Sequence, residues 1–307
     1  MSTLNRFTLG LAALGRPAYI NLGRAGALPA DRGVASLRAA TEDVLDAAYA
    51  AGIRRVDTAR SYGRAEEFLA GWLDARGHTD VTVSSKWGYA YVGGWRMDAE
   101  THESKEHSLP RFRAQLAESR ALLGDRIALY QVHSLTSDSP LFTDGPLLDA
   151  LAELADSGQR LGFSTSGPAQ ADTVRRGLAL ERAGVRVFRA VQSTWNPLEP
   201  SVGPALADAH AHGAHVAVKE ALANGRLAVR APESLLAAAR ELGATPDALA
   251  LSVALAQPWA DTVLLGPAST AQLAANLASA GLTPPELPDL AEDPAEYWAT
   301  RSALRWE

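Results

Sequence analysis

Cysteine is absent from this 307-residue chain. That excludes disulfides, thiolate nucleophiles and sulfur-ligated metals, and nothing points to an oxidising compartment. An excess of charge of one sign is also missing: 29 Lys and Arg stand against 35 Asp and Glu, a formal net charge of -6. No basic face is announced, which argues against a nucleic-acid partner. Long apolar runs are lacking too, since none reaches the ~20 residues that a bilayer span needs. Phe7–Leu14 follows Arg6 and loosely has the look of a short signal core, but no convincing cleavage site follows it. A first strand is the better reading, and a cytoplasmic protein without a membrane partner is the expectation. The histidines show no HExxH spacing, and no metal site is expected.

What is present suits a large core: 47% of residues are hydrophobic and 21% charged. Eight short apolar runs recur along the chain, at Leu9–Leu14, Arg54–Thr58, Val81–Lys86, Ile127–His133, Leu161–Thr165, Val187–Ser193, His215–Lys219 and Thr262–Gly266. They lack strict alternation, as strands of a parallel sheet buried on both faces should. Helical stretches fill the gaps. Ala65–Arg76 stops at Gly77, Ser108 opens a helix to Leu123, and Leu147–Asp156 ends before Gly158. Thr245 and Pro246 open another, and Ser269 caps Thr270–Ser279, closed by Gly281. Eight βα units predict a closed (β/α)8 barrel, and no GxGxxG follows the first strand to favour a doubly wound sheet. No linker or composition shift interrupts residues 1–307, so one domain is expected, with a tail over about 282–307 and a final short helix within Ala295–Glu307. Trp87–His107 reads as a long loop at the end of the third strand.

Four polar residues sit at or just beyond strand ends: Asp57 and Tyr62 in "VDTARSYG", Lys86 in "SSKWG", and His133 in "LYQVHS". In a barrel these ends converge on one mouth. A strand-end aspartate alone is an ordinary cap or salt-bridge partner, and a lone histidine an ordinary core residue. The ordered set on consecutive strands suits carbonyl reduction, which needs a proton delivered to oxygen as hydride reaches carbon. A tyrosine with an ordinary pKa of about 10 is a weak partner at neutral pH. A lysine would lower that value, a carboxylate would fix the lysine, and a histidine would polarise the carbonyl. Tyr62 is thus read as general acid/base, Lys86 as its activator, Asp57 as the orienter of Lys86 and His133 as the carbonyl positioner.

These segments resemble the aldo-keto reductase superfamily from about Phe7 to Gly281. The resemblance implies a TIM barrel that uses Asp57, Tyr62, Lys86 and His133 and binds NADP(H) without metal, flavin or a Rossmann domain. "LGFSTSG" is similar to the family's Gly-Val-Ser-Asn strand and "AVQSTWNP" to its glutamine strand, which implies cofactor contacts at Ser164 and Gln192. "VKEALANGRL" resembles its Tyr-Ser-Pro-Leu-Gly segment, implying Leu222, Asn224 and Gly225 at the pyrophosphate, with Lys219 where an aromatic usually stacks on nicotinamide. A buried ion pair of Lys219 with Glu220 is the other reading of that lysine. "GPASTAQLAANL" implies Ser269, Gln272 and Asn276 at the adenosine end, while Ala268 stands where an arginine often meets the 2′-phosphate and leaves NAD(H) open. Trp87, Tyr89, Tyr91, Trp95 and Trp195 are candidate walls of a substrate pocket. A carbonyl reductase or alcohol dehydrogenase acting on a small-molecule aldehyde, ketone or sugar is the leading expectation. A redox-neutral lyase or isomerase, or a weakly active cofactor-binding regulatory protein on the same barrel, are the alternatives. Oligomeric state is not legible.

Overall fold

The computed structural model describes residues 3–307. Eight parallel strands close on themselves: β1 (Phe7–Gly10), β2 (Arg55–Asp57), β3 (Thr82–Trp87), β4 (Ile127–Leu135), β5 (Arg160–Thr165), β6 (Ala190–Thr194), β7 (His215–Lys219) and β8 (Thr262–Leu265). Each pairs with its successor, and the register Phe7↔Val263 joins β8 to β1. This is a (β/α)8 TIM barrel, as the eight apolar runs predicted.

Helices α1 (Val34–Ala50), α2 (Ala65–Arg76), α3 (Leu109–Leu123), α4 (Gly145–Asp156), α5 (Gln170–Leu178), α6 (Gly203–Ala211), α7 (Arg226–Val229), α8 (Glu233–Glu241), α9 (Pro246–Leu255), α10 (Thr270–Leu277) and α11 (Pro294–Ser302) surround it. Their ends follow local chemistry. Gly77 takes the left-handed conformation and its N–H bonds Leu73 O at 2.9 Å. Ser108 and Ser269 accept from Arg111 N and Gln272 N, both at 3.3 Å. Thr245 makes no side-chain cap, so Pro246 alone marks that start. α4 begins two residues before Leu147 because Asp144 caps it, accepting from Leu147 N at 3.0 Å.

Three boundaries depart from the sequence reading. The first strand ends at Gly10 rather than Leu14: Leu14 and Gly15 donate back to Leu11 O at 3.1 and 3.2 Å, so this apolar run turns across the barrel mouth. The sixth strand starts at Ala190 because a small hairpin, Glu181–Arg182 against Val185–Arg186, absorbs what precedes it, and Val187 N bonds Leu180 O at 3.1 Å. Trp87–His107 holds a second hairpin, Tyr89–Tyr91 against Glu103–Lys105. After α11 the tail returns to the mouth, where Tyr19 and Glu307 exchange two backbone hydrogen bonds at 3.1 and 3.0 Å. Among the described residues, no helix is long and apolar enough to cross a membrane.

Candidate active site

Asp57 ends β2 and Lys86 lies one residue from the end of β3. The Lys86 ammonium contacts Asp57 Oδ1 directly and donates to Thr58 O at 3.1 Å, with the two side chains only 1% and 2% exposed. Asp57 Oδ2 accepts from Ser84 Oγ at 2.7 Å, Gln192 Nε2 at 3.1 Å and Gln131 Nε2 at 3.3 Å. A buried carboxylate is tolerable because every side of it is answered.

Tyr62 comes from the turn between β2 and α2. Gly63 follows it with φ +62°, where a Cβ would lie 2.4 Å from Gly15 O, so glycine permits the close crossing that aims Tyr62 inward. Lys86 Nζ is 5.1 Å from the centre of the Tyr62 ring. His133, on β4, stands edge-on to that ring with centroids 5.4 Å apart. Its Nδ1 lies 3.2 Å from Ser61 Oγ, and its carbonyl accepts from His107 Nε2 at 2.9 Å. The four sequence-derived catalytic candidates therefore meet at one place.

The electrostatics differ from expectation at Tyr62. Its hydroxyl is pushed well above the ordinary tyrosine range rather than lowered, first by burial and then by the Asp57 charge, with Arg16 opposing. Burial is the larger cause, and because Lys86 touches Asp57, Tyr62 faces an ion pair rather than a bare ammonium. His133 is pushed well below its usual value by burial, and further by Lys86, Arg16 and Lys219. Tyr62 and His133 are thus both neutral near pH 7.

A cavity of about 480 Å³ opens beside them. Of the cofactor candidates, Ser164, Gln192, Lys219, Leu222, Asn224, Gly225, Gln272 and Asn276 line it. Ser269 does not, because its hydroxyl is turned to the α10 terminus that it caps. Asn224 Nδ2 donates to Asn21 Oδ1 at 3.1 Å, while its buried Oδ1 has no partner among the described residues. Gly225 has φ +87°, and a Cβ there would meet Leu22 O at 2.5 Å. Lys219 Nζ donates to Thr194 Oγ1 at 2.7 Å and lies 3.5 Å from Glu220 Oε1, so the ion pair weighed from sequence forms within the cavity wall. At the far end, Asn276 Nδ2 donates to Asp247 Oδ2 at 3.0 Å and Gln272 Oε1 accepts from Ala268 N at 2.8 Å.

Four of the five proposed substrate-wall aromatics lie elsewhere. Trp87 follows Lys86 on the same strand and so faces the opposite way, packing on Phe112 with centroids 5.0 Å apart. Trp95 donates its indole N–H to Arg32 O at 2.8 Å and packs against Phe68. Trp195 packs on Trp259 and does not line the cavity. Tyr91 takes Trp95 N on its hydroxyl at 3.1 Å and does not line the cavity. Tyr89 does, with its ring 5.0 Å from His133. Residues missed from sequence complete this wall: Tyr19, Arg16, Glu103, Arg301 and Trp306. Arg16 is buried, donates to Glu103 Oε1 at 2.7 Å and Ser61 O at 2.9 Å, and lies over the rings of Tyr62 and Trp306. Arg24 gathers the carbonyls of Ala13, Arg16, Pro17 and Glu307, fixing the first loop to the tail.

With this geometry in view, the family model described as the Aldo/keto reductase family matches residues 31–290. The chain belongs to the aldo/keto reductase family. Its barrel superposes on that of a protein of Pseudomonas aeruginosa assigned to the aldo-keto reductases, with 25% identity, a TM-score of 0.64 and coverage of 90% of this chain and 88% of that one. The fold is shared with an aldo-keto reductase of Bacillus halodurans in its holo form (22% identity, TM-score 0.66, 98% and 92% covered). It is shared too with a glycerol dehydrogenase of Gluconobacter oxydans (19%, 0.64, 97% and 90%). No curated protein matches the sequence. As an aldo/keto reductase the protein is an oxidoreductase, of a family that generally works with nicotinamide cofactors.

Proposed function

We propose that this aldo/keto reductase interconverts a small carbonyl compound and its alcohol with a nicotinamide dinucleotide, using Tyr62 as general acid/base. The observation that carries the reading is the meeting of neutral Tyr62 and neutral His133 on one cavity, backed by the buried Lys86–Asp57 pair. The residues present fit the cofactor: Ser164 and Gln192 lie near the catalytic group, and the unpartnered Asn224 Oδ1 is an acceptor suited to a ribose hydroxyl. Gln272 and Asn276 line the other end. When bound, the cofactor supplies or accepts the hydride.

The protein's own residues manage the proton. A carbonyl oxygen between Tyr62 and His133 accepts two hydrogen bonds, one from the phenol and one from the imidazole. In the tautomer that lets the Ser61 hydroxyl donate to Nδ1, the His133 ring proton sits on Nε2, free to polarise the carbonyl. As hydride reaches carbon, the Tyr62 proton passes to oxygen and the nearby Lys86 ammonium steadies the phenolate left behind. The reverse runs by the same steps.

The cofactor's 2′-position also leaves a mark. Arg24 in the cavity wall turns its guanidinium to backbone carbonyls, while the Asp247 carboxylate stands beside Asn276. That favours binding of NAD(H) alongside NADP(H), since a carboxylate repels a phosphate and accepts from a ribose hydroxyl. A panel of aldehydes, ketones and sugars assayed by absorbance of NADPH and NADH in parallel tests the reading. Turnover of none of them in either direction would overturn it.

A further inference from the structure

We infer that Lys219 makes the site bind the reduced, uncharged nicotinamide ring in preference to the oxidised, positively charged one. The inference rests on the reading above and adds a determinant of redox direction. In the strand register Thr194 pairs with Lys219 and Gln192 with Ala217, so Lys219 stands one inward step above the level of Gln192 at the barrel mouth. It lines the same cavity as Tyr62, His133, Ser164 and Gln192. Hydride transfer requires the nicotinamide ring to lie beside the carbonyl that Tyr62 and His133 hold, which brings the ring to this wall.

The ammonium is not neutralised there. Among the described residues Glu220 is its only carboxylate partner, and that carboxylate is gripped by Arg301 from α11 through contacts of 2.5, 2.9 and 3.1 Å. Two cations share one anion, so the trio carries one net positive charge. Its field reaches the reaction centre, where Lys219 helps to push His133 down. Burial brings Lys219 itself down to about 8, so it stays mostly charged at pH 7. Only the oxidised ring carries a charge for this ammonium to repel. A unit charge about 6 Å away, at an effective dielectric constant of about 20, changes a binding constant on the order of 100-fold. Glu220 cancels part of that, leaving about tenfold as the expected preference. By linkage, a tenfold ratio raises the potential of the bound two-electron couple by about 30 mV. The enzyme-bound reaction is thereby tilted toward hydride acceptance, the direction in which an alcohol is oxidised and the carbonyl released.

The test is titration of the purified full chain with NADPH, NADP⁺, NADH and NAD⁺ at pH 7, by calorimetry or tryptophan quenching. The wild type should bind the reduced form of each pair about tenfold more tightly. Lys219→Met should bring the ratio close to one, chiefly by tightening the oxidised form, and Lys219→Arg should retain it. Should Lys219→Met fail to fold, the wild type at pH 9 serves instead, and its ratio should narrow as Lys219 loses its proton. Around it Glu220 and Arg301 stay charged, His133 and Tyr62 stay neutral, and Lys86 remains tied to Asp57. Equal affinities in the wild type, or an unchanged ratio in Lys219→Met or at pH 9, would overturn the inference while leaving the cofactor reading intact. Binding of none of the four would overturn both.

Discussion

Lys86 Nζ and Asp57 Oδ1 touch beneath Tyr62, and this contact sets what each group can do for the tyrosine. Replacing Lys86 by Met leaves a buried carboxylate without its cation. A loss of about 3–5 kcal/mol in folding stability is expected from such a half-pair, read by urea denaturation. Asp57 already raises Tyr62, so unmasking it should move the alkaline limb of the pH–rate profile higher as turnover falls. An unmoved limb in a folded variant would separate Lys86 from Tyr62.

Tyr62→Phe removes a proton donor and keeps the ring that packs against Arg16 and His133. Turnover should fall on the order of 10²–10⁴-fold. Cofactor affinity should stay within about twofold, because no charge is lost and the ring is retained. Retained activity would remove Tyr62 from the chemistry.

His107 and His133 give the stability curve an acid limb. Burial holds His107 down to about 4 and His133 well below its ordinary value of 6.5. Both are neutral when folded, whereas the unfolded chain takes up protons below about 6.5. The unfolded state therefore binds more protons in this range, and stability present above pH 6.5 is lost progressively as pH falls toward 4. Denaturant midpoints measured from pH 7 to 4 should show the decline, and His107→Gln should flatten it.

At the adenosine end, Asp247→Asn keeps an oxygen for Asn276 and removes the charge. NADPH should bind several-fold more tightly to this variant, with NADH little changed. A parallel gain for both cofactors would show that Asp247 does not face the 2′-position.

The convergence of the candidate site could be read from the chain because strand ends in a parallel barrel share one destination. Asp57, Lys86 and His133 each close a short apolar run, so their convergence followed from the topology. Facing direction was legible in principle for Trp87: it neighbours an inward lysine on a strand and must point to the helix layer. Arg16 carried no such signal. Its partner Glu103 lies 87 positions away in a hairpin whose two strands are joined by a long connection, with no short turn to announce it. The net rise of Tyr62 was not legible, because spacing reveals neighbours, whereas the shift depends first on burial and then on the Asp57 charge.

The barrel divides its labour by circumference. Asp57, Tyr62, Lys86 and His133 come from β2 to β4 and the turns after them, while the groups proposed to face the cofactor come from β5 onward. The Gln192–Asp57 hydrogen bond spans the axis between these halves. A dinucleotide that recruits the Gln192 amide would withdraw a donor from the carboxylate under the tyrosine. Occupancy on one side of the ring would then reach the proton affinity on the other through a single shared amide.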